Sequence, residues 1–382
     1  MNYRMVSYII GQIVRVEGIH MIPSLVVSVI YGESAFAAFL IPIVLSVAAG
    51  TLLTIKKPSN PDIFAKEGFV TVGLSWIIMS LIGALPFVID GCIPSFVDAF
   101  FETVSGFTTT GASILTEIES LGRGIWRSFT HFVGGMGVLV FVLAILPQAD
   151  TRSVKLMHVM RAEVPGPKVG KLVSKIGRTA RIMYGIYIGL TVIEMILLLA
   201  GGMSVYGSIV NSFATAGTGG FAIKNASIAA YDSAYIDYVI GIFMFLFGVN
   251  FNLYYLILIG HVGEALRSEE LRWYLIITCV STALIAADIY EIFGTVGESV
   301  RYAFFQVTSV MSTTGFATSD YNTWPALSKV ILALLMFCGA CVGSTTGGIK
   351  VGRIILLVKS GLREIKYMLH PRAVVAVRSE GK

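Results

Sequence analysis

The sequence predicts an all-α membrane protein that crosses the bilayer several times. Of its 382 residues, 55% are hydrophobic and 13% are charged, and the mean hydropathy is +0.80. Ordinary globular domains carry about 25% charged residues, so a water-soluble fold is not expected. The apolar residues are gathered in long runs, and a segment rich in threonine and glycine recurs between them. These three observations predict repeated units of membrane helices joined by short irregular loops.

The long apolar runs define the predicted spans. The hydrocarbon core of a bilayer is about 30 Å thick, and a helix needs roughly 20 residues to cross it. No short charged leader with a cleavage site precedes the first run, so we expect that run to be retained as a span. About eight runs have the required length, at residues 8–31, 34–55, 69–89, 128–147, 180–201, 234–260, 271–289 and 326–346.

Charged residues are distributed unequally between the linkers. Lysine and arginine are concentrated after the second, fourth, sixth and eighth runs, and the positive-inside rule places these linkers and the N-terminus in the cytoplasm. The opposite linkers hold more acidic than basic residues. Glu102 is one of the acidic residues, and Arg127 is one of the basic residues. An acidic outer face raises the local concentration of cations. Because topology explains the net charge of +5, nucleic-acid binding is not expected.

A short segment recurs on the predicted outer side. The stretches AFFETVSGFTTTGAS (99–113) and AFFQVTSVMSTTGFA (303–317) are identical at seven of fifteen positions without a gap. A third copy, SIVNSFATAGTGGFA (208–222), has a glycine in the same register. Each copy begins in an apolar segment too short to cross the bilayer. The repeating unit is therefore predicted to be a helix, a half-helix, a Thr/Gly loop and a second helix.

Irregular backbone at membrane depth is tolerated only where it is buried in protein or lines a watery cavity. A half-helix that enters from outside points its negative C-terminal end inward, which favours a cation at the loop. Rings of backbone carbonyls can replace the hydration shell of an alkali ion. Each loop is thus interpreted as one quarter of an ion filter. Glycines that serve as helix caps or tight turns would explain one copy, but less readily three copies in register.

These repeats resemble the Trk/Ktr/HKT superfamily of potassium transporters, and within it the membrane subunits of bacterial Trk potassium uptake systems. The resemblance extends to an extra N-terminal helix pair, FVGGMG (132–137), EVPGP (163–167) and HPRAV (370–374). It implies an all-α polytopic fold with helix–pore loop–helix units around a pseudo-fourfold pore. It also implies K⁺ as the transported ion and no organic cofactor.

The resemblance also implies which residues form the filter. A glycine at the filter position accompanies potassium permeation in this superfamily, whereas a serine in the first repeat accompanies sodium, so Gly111 favours potassium. Carried over by position, the filter residues are Thr109, Thr110 and Gly111 in the first repeat, Thr218, Gly219 and Gly220 in the second, and Thr313, Thr314 and Gly315 in the third.

The stretch CGACVGSTTGGIK (338–350) interrupts the last long apolar run. Each glycine costs a helix about 1 kcal/mol relative to alanine, so a break into two half-helices is expected. A close helix contact through small residues is the alternative. The resemblance implies an intramembrane loop that gates the pore, formed by Gly339, Gly343, Ser344, Thr345, Thr346, Gly347, Gly348 and Lys350.

Other chemistry is not predicted. Cys338 and Cys341 have C-x-x-C spacing, but no second pair or histidine accompanies them as a zinc site requires. The segment 343–350 fails the phosphate-loop pattern, because Ile349 separates the last glycine from the lysine and no Ser or Thr follows. The histidines show no metal-ligand spacing, and no catalytic arrangement indicates an enzyme.

The resemblance implies a division of the chain into repeats. We expect an N-terminal transmembrane helix pair (1–60), pore repeats at 61–150, 151–265 and 266–366, and a linker (367–382) toward a fourth repeat that these 382 residues do not include. It further implies a homodimer in the bacterial cytoplasmic membrane, with a cytoplasmic nucleotide-binding regulatory subunit on the basic inner face. That face would equally suit anionic membrane lipid.

The predicted function is therefore potassium uptake across the cytoplasmic membrane, through the Thr/Gly loops and under control of the glycine-rich loop. Two alternatives remain. One is a sodium or mixed-cation transporter of the same architecture, and the other is a non-conducting membrane scaffold that lacks the fourth repeat.

Overall fold

The computed structural model describes residues 1–30, 36–60, 64–116, 125–137 and 176–370. Throughout these ranges the regular structure is helical, without a β-strand. The sequence motif at 163–167 lies outside the described residues, and so does the motif at 370–374 beyond its first residue. The α-helices are α1 (Tyr3–His20), α2 (Ile22–Ile30), α3 (Phe36–Thr54), α4 (Ala65–Asp90), α5 (Phe96–Phe107), α6 (Ile125–Gly135), α7 (Ile176–Ala200), α8 (Val205–Ala216), α9 (Ala234–Phe247), α10 (Phe251–Leu258), α11 (Val262–Leu266), α12 (Glu269–Asp288), α13 (Tyr290–Phe293), α14 (Val296–Met311), α15 (Ala326–Cys338) and α16 (Val351–Leu369).

The chain forms two compact units. The first comprises Met1–Val192 and Ser204–Asn225, and the second comprises Ile193–Met203 and Ala226–Lys382. The first unit contains the first and second Thr/Gly loops. The second unit contains the third Thr/Gly loop and the glycine-rich loop.

The N-terminal helices of the first unit pack closely because small residues line their contact. A Cβ atom on Gly50 of α3 would lie 2.7 Å from the backbone nitrogen of Arg15 in α1. A Cβ atom on Gly18 would lie 3.0 Å from Cβ of Ser46. Small residues allow this approach of helix backbones in membranes, where apolar burial drives association little.

Among the described residues, five helices are long and apolar enough to cross a membrane. They are Tyr3–Ile30, Phe36–Thr54, Lys66–Asp90, Arg181–Ala200 and Glu269–Asp288. The other predicted spans differ for local reasons. The run 234–260 bends by 92° between α9 and α10, where the Asn250 carboxamide accepts a 2.9 Å hydrogen bond from Asn252 N–H and starts a new helix. The run 326–346 ends as a helix at Cys338, and the second half of the run 128–147 lies outside the described residues.

Three half-helices match the predicted repeat. Helices α5 and α8 have 12 residues each and α14 has 16, all shorter than a span requires. Each starts in the same way, with a hydroxyl side chain that accepts a backbone hydrogen bond three residues later. These caps are Ser95 to Asp98 N, Ser204 to Gly207 N and Thr295 to Glu298 N. The same cap also begins α9 at Ser233 and α12 at Ser268, so it explains where the helices start without distinguishing the half-helices.

Candidate functional site

The three half-helices end in the same backbone motif. In the first repeat, the N–H of Thr109 donates to Gly106 O at 3.1 Å, and the N–H of Thr110 donates to Ser105 O at 2.9 Å. This pair of bonds defines the Schellman motif, whose C′ residue is left-handed and is usually glycine. The other loops repeat the pattern with Thr218 to Thr215, Gly219 to Ala214, Thr313 to Val310 and Thr314 to Ser309.

A threonine takes the left-handed position in every copy. The φ angles are 53° at Thr109, 53° at Thr218 and 59° at Thr313. A β-branched residue at positive φ is an outlier, and the strain is of order 1–3 kcal/mol for each such residue. Strained backbone of this kind clusters at ligand-binding and switch sites. Its recurrence at three equivalent positions marks the Thr/Gly loops as the candidate site.

The glycines predicted to belong to the filter also have left-handed backbone, with φ of 76° at Gly111, 76° at Gly220 and 88° at Gly315. Within the first unit, the first two loops lie against each other. A Cβ atom on Gly111 would overlap the carbonyl oxygen of Gly219. The first loop therefore requires glycine both for its backbone angle and for its contact with the second loop.

The motif at 132–137 packs behind these two loops. A Cβ atom on Gly134 would overlap the carbonyl oxygen of Phe107, and one on Gly135 would lie 2.5 Å from Cα of Gly217. The imidazole of His131 is buried and stacks on Phe221, with 4.0 Å between ring centroids. Helix α6 therefore supports both loops through small residues and one aromatic stack.

In the second unit, the third loop contacts the glycine-rich loop. The backbone N–H of Gly347 donates a 2.8 Å hydrogen bond to Oγ1 of Thr313. A second bond stabilises the third loop itself, since Oγ of Ser309 donates to Phe316 O at 2.6 Å. The structure thus brings together a predicted filter residue and a predicted gate residue.

The glycine-rich loop separates α15 from α16, as its composition predicted. The φ angle is positive at Gly339, Gly343 and Gly348, with values of 68°, 76° and 81°, and at Lys350, with a value of 75°. A Cβ atom on Gly348 would lie 2.7 Å from Cα of Gly339. The loop therefore closes on itself, and glycine is required where its two ends meet.

The ammonium group of Lys350 turns back into this loop. Its Nζ donates to the carbonyl oxygen of Thr346 at 2.5 Å, to Oγ1 of Thr346 at 3.1 Å and to Oγ of Ser344 at 3.3 Å. In addition, Oγ1 of Thr345 donates to Phe247 O at 3.3 Å. Oxygen atoms of the loop thus surround one tethered cation.

Glu270 is a supporting residue that sequence reasoning missed. Its Oε1 accepts hydrogen bonds from Val342 N–H at 2.8 Å and from Gly352 N–H at 2.9 Å. One carboxylate oxygen therefore joins the glycine-rich loop at Val342 to the first turn of α16 at Gly352. No sequence signal pointed to it, because an acidic residue in the first turn of a helix usually serves the helix dipole.

Neither Cys338 nor Cys341 forms a disulfide bond. Over the described parts of the chain, no group of three or more His, Cys, Asp or Glu side chains could hold a metal ion. The candidate site is therefore made of hydroxyl groups, backbone carbonyls and glycine, a set of ligands that suits an alkali ion.

Known proteins show the same organisation. A family model described as TrkH, cation transport protein, matches residues 35–382. The Trk system potassium uptake protein TrkH of Escherichia coli (strain K12) is 36% identical over 387 residues, covering 99% of this chain and 79% of that protein. The protein of the same name from Halomonas elongata is 34% identical over 389 residues, with the same two shares.

A solved structure agrees as well. The crystal structure of the potassium transporter TrkH from Vibrio parahaemolyticus has a TM-score of 0.88 and 28% identity, covering 100% of this chain and 80% of that one. The predicted family resemblance and the predicted fold class are both confirmed, and so is the multi-pass membrane character. The chain belongs to the TrkH family of cation transport proteins, which are transporters and not enzymes.

Proposed function

We propose that this protein takes up potassium across the bacterial cytoplasmic membrane, through a filter to which its three Thr/Gly loops contribute. The observation that carries the proposal is the recurrence of one strained backbone, with a left-handed threonine followed two residues later by a left-handed glycine. The names of the relatives, which are potassium uptake proteins, support it.

The loops have the chemistry that an alkali ion requires. Each follows the C-terminal end of a half-helix, where the helix dipole favours a cation. The left-handed glycines allow backbone carbonyls to point along one side of the loop. We therefore assign the ion-binding role to Thr109, Thr110, Gly111, Thr218, Gly219, Gly220, Thr313, Thr314 and Gly315.

The glycine-rich loop, residues 338–350, is the proposed gate. The Thr313–Gly347 hydrogen bond holds it beside the third filter loop, and Lys350 and Glu270 fix its shape. A loop held by a few individual hydrogen bonds is a suitable two-state element, because each bond contributes only about 1 kcal/mol. Opening would then require few contacts to break.

The remaining parts of the proposal follow the family resemblance. They are the cytoplasmic N-terminus, the homodimer, the nucleotide-binding regulatory subunit and the repeat boundaries at 61–150, 151–265 and 266–366. The basic side chains of α16 (Val351–Leu369) support the proposal that an acidic partner or an anionic lipid surface docks on this helix. This helix carries Lys359, Arg363 and Lys366.

Growth in limiting potassium tests the proposal. The chain is expressed in bacterial cells that lack their own potassium uptake systems, and its membrane level is measured by immunoblot. We expect it to restore growth, and we expect Gly315→Arg to abolish the effect at an unchanged membrane level. Restoration that is equal with Gly315→Arg would contradict a filter at this loop, and uptake of sodium in place of potassium would favour the mixed-cation alternative. No uptake of either ion would favour the scaffold alternative.

A further inference from the structure

A buried ion pair lies behind the first two Thr/Gly loops, within the first unit. Nε of Arg127 on α6 lies 2.6 Å from Oε1 of Glu102 on α5. The two side chains are 5% and 0% exposed. A buried ion pair stabilises a fold little better than apolar residues of similar volume, since desolvation offsets the attraction. Its presence at this point therefore suggests a role other than stability.

The carboxylate of Glu102 holds the chain that follows the first loop. Its Oε1 accepts a 3.1 Å hydrogen bond from Oγ of Ser113, and its Oε2 accepts a 3.1 Å bond from the backbone N–H of Ile114. These residues come two and three positions after Gly111. The position of the outer end of this loop is thus set by Glu102.

The guanidinium of Arg127 holds the chain that follows the second loop. Its Nη1 donates a 3.1 Å hydrogen bond to the carbonyl oxygen of Ala222. Its central carbon lies 3.5 Å from the centre of the Phe221 ring. These residues come directly after Gly220. One pair of charges therefore links the outer ends of two neighbouring loops.

The register of Glu102 in the repeat gives a second indication. Asn211 and Gln306 occupy the same position in the other two half-helices, and all three side chains are buried, with 1%, 0% and 2% exposure. A polar group behind each loop is thus a repeated feature of this chain. Glu102 is the charged member of the set, and it is the one paired with an arginine.

From this geometry we propose that the Glu102–Arg127 pair is a positioning device that sets the distance between the first and second loops. By setting this distance, the pair determines how well the transporter discriminates potassium from sodium. The inference rests on the proposed function. Its physical reason is that a site of fixed carbonyl oxygens distinguishes ions by the size and number of its ligands. Because a guanidinium presents a rigid fork of donors, it can hold Glu102 and Ala222 at once, whereas a lysine cannot reproduce that fork.

Conservative variants test the proposal. Arg127→Lys and Glu102→Asp keep the charges but shorten or remove one of the links, and the double variant Glu102→Gln with Arg127→Gln removes both charges together. Uptake of radioactive rubidium, a potassium analogue, and of radioactive sodium is measured in proteoliposomes that contain the purified protein. We expect the ratio of sodium to rubidium uptake to rise in each variant, by roughly tenfold in the double variant, which corresponds to about 1.4 kcal/mol of lost discrimination.

A matched control uses the exposed His261–Glu264 pair, whose nitrogen and oxygen lie 3.2 Å apart. Replacing both residues by glutamine should leave the uptake ratio unchanged. If the Glu102 and Arg127 variants lower the uptake of both ions in proportion and keep the wild-type ratio, the pair has only a structural role and the proposal is wrong. If the wild-type protein takes up neither ion, the proposed function itself fails, which is a distinguishable result.

A second readout covers variants that transport too slowly to measure. The melting temperature of each purified variant is compared in potassium and in sodium, because an ion that binds the native state raises it. The wild type should be stabilised more by potassium than by sodium. The proposal requires this difference to shrink in the variants, and an undiminished difference would overturn it.

Discussion

The backbone N–H of Gly347 donates a 2.8 Å hydrogen bond to Oγ1 of Thr313. This bond joins the glycine-rich loop to the third Thr/Gly loop through one side chain. Thr313 has a φ of 59°, a strained value for a β-branched residue.

Loss of the Thr313 hydroxyl should release the glycine-rich loop. We expect Thr313→Val to raise the basal rate of rubidium uptake by about fivefold, since a hydrogen bond of about 1 kcal/mol changes an equilibrium by that factor. Thr313→Ser retains the acceptor oxygen and should behave like the wild type. Equal rates for the two variants would show that this bond does not control the loop.

Removal of the Lys350 ammonium should also loosen the loop. Lys350→Met is the appropriate change, because methionine is close to lysine in length but has no hydrogen-bond donor. The three contacts of Nζ with Ser344 and Thr346 are then lost. We expect faster basal uptake together with increased proteolysis within 338–350, measured by limited digestion of the purified protein. Slower uptake with an intact loop would indicate that Lys350 assists permeation instead.

Two of the proposed filter glycines should respond differently to alanine. At Gly111 a Cβ atom would overlap the carbonyl oxygen of Gly219, whereas at Gly315 it would meet no described heavy atom within 4 Å. Gly111→Ala should therefore displace the second loop and impair both selectivity and expression. Gly315→Ala carries mainly the cost of its left-handed backbone, roughly 1 kcal/mol. Uptake ratios and melting temperatures of the two purified variants decide the point, and a milder effect at Gly111 would contradict this geometry.

Glu270 should matter more than the nearby Lys359–Glu269 pair. Glu270→Ala removes the acceptor for Val342 and Gly352, and hydrogen bonds to a charged group contribute about 1.5–3 kcal/mol each. We expect a lower melting temperature and faster basal uptake, with Glu270→Gln intermediate because its amide oxygen still accepts. The control is Lys359→Ala, which breaks a partly exposed pair with Glu269 and should change stability by at most about 1 kcal/mol. Similar effects of the Glu270 and Lys359 changes would remove the special role of Glu270.

The repeat can be predicted well from the sequence, because local chemistry determines it. Apolar runs, capping hydroxyls such as Ser95 and glycines in register are all encoded within short windows. The half-helices and the break after Cys338 could therefore be predicted. The strained backbone of Thr109, Thr218 and Thr313 could not, since no propensity favours a β-branched residue at positive φ.

The supporting contacts could not be predicted from the sequence, because they join residues that are far apart in the chain. Glu102 and Arg127 are 25 residues apart, and an acidic and a basic residue in outer linkers are more often solvated. The burial of their side chains depends on how α5 and α6 pack. The equivalence of Glu102 with Asn211 and Gln306 in the repeat is the signal that could have identified this position.

The central claim is that the Thr/Gly loops form a potassium-selective filter, and competition for rubidium uptake in proteoliposomes tests it most directly. Potassium should compete at far lower concentrations than sodium. Gly111→Ser should reduce that difference. Gly91→Ser should not, because Gly91 has a similar φ of 78° with no described atom within 4 Å of an added Cβ. Equal competition by sodium and potassium in the wild type, or an unchanged preference in Gly111→Ser, would contradict the claim.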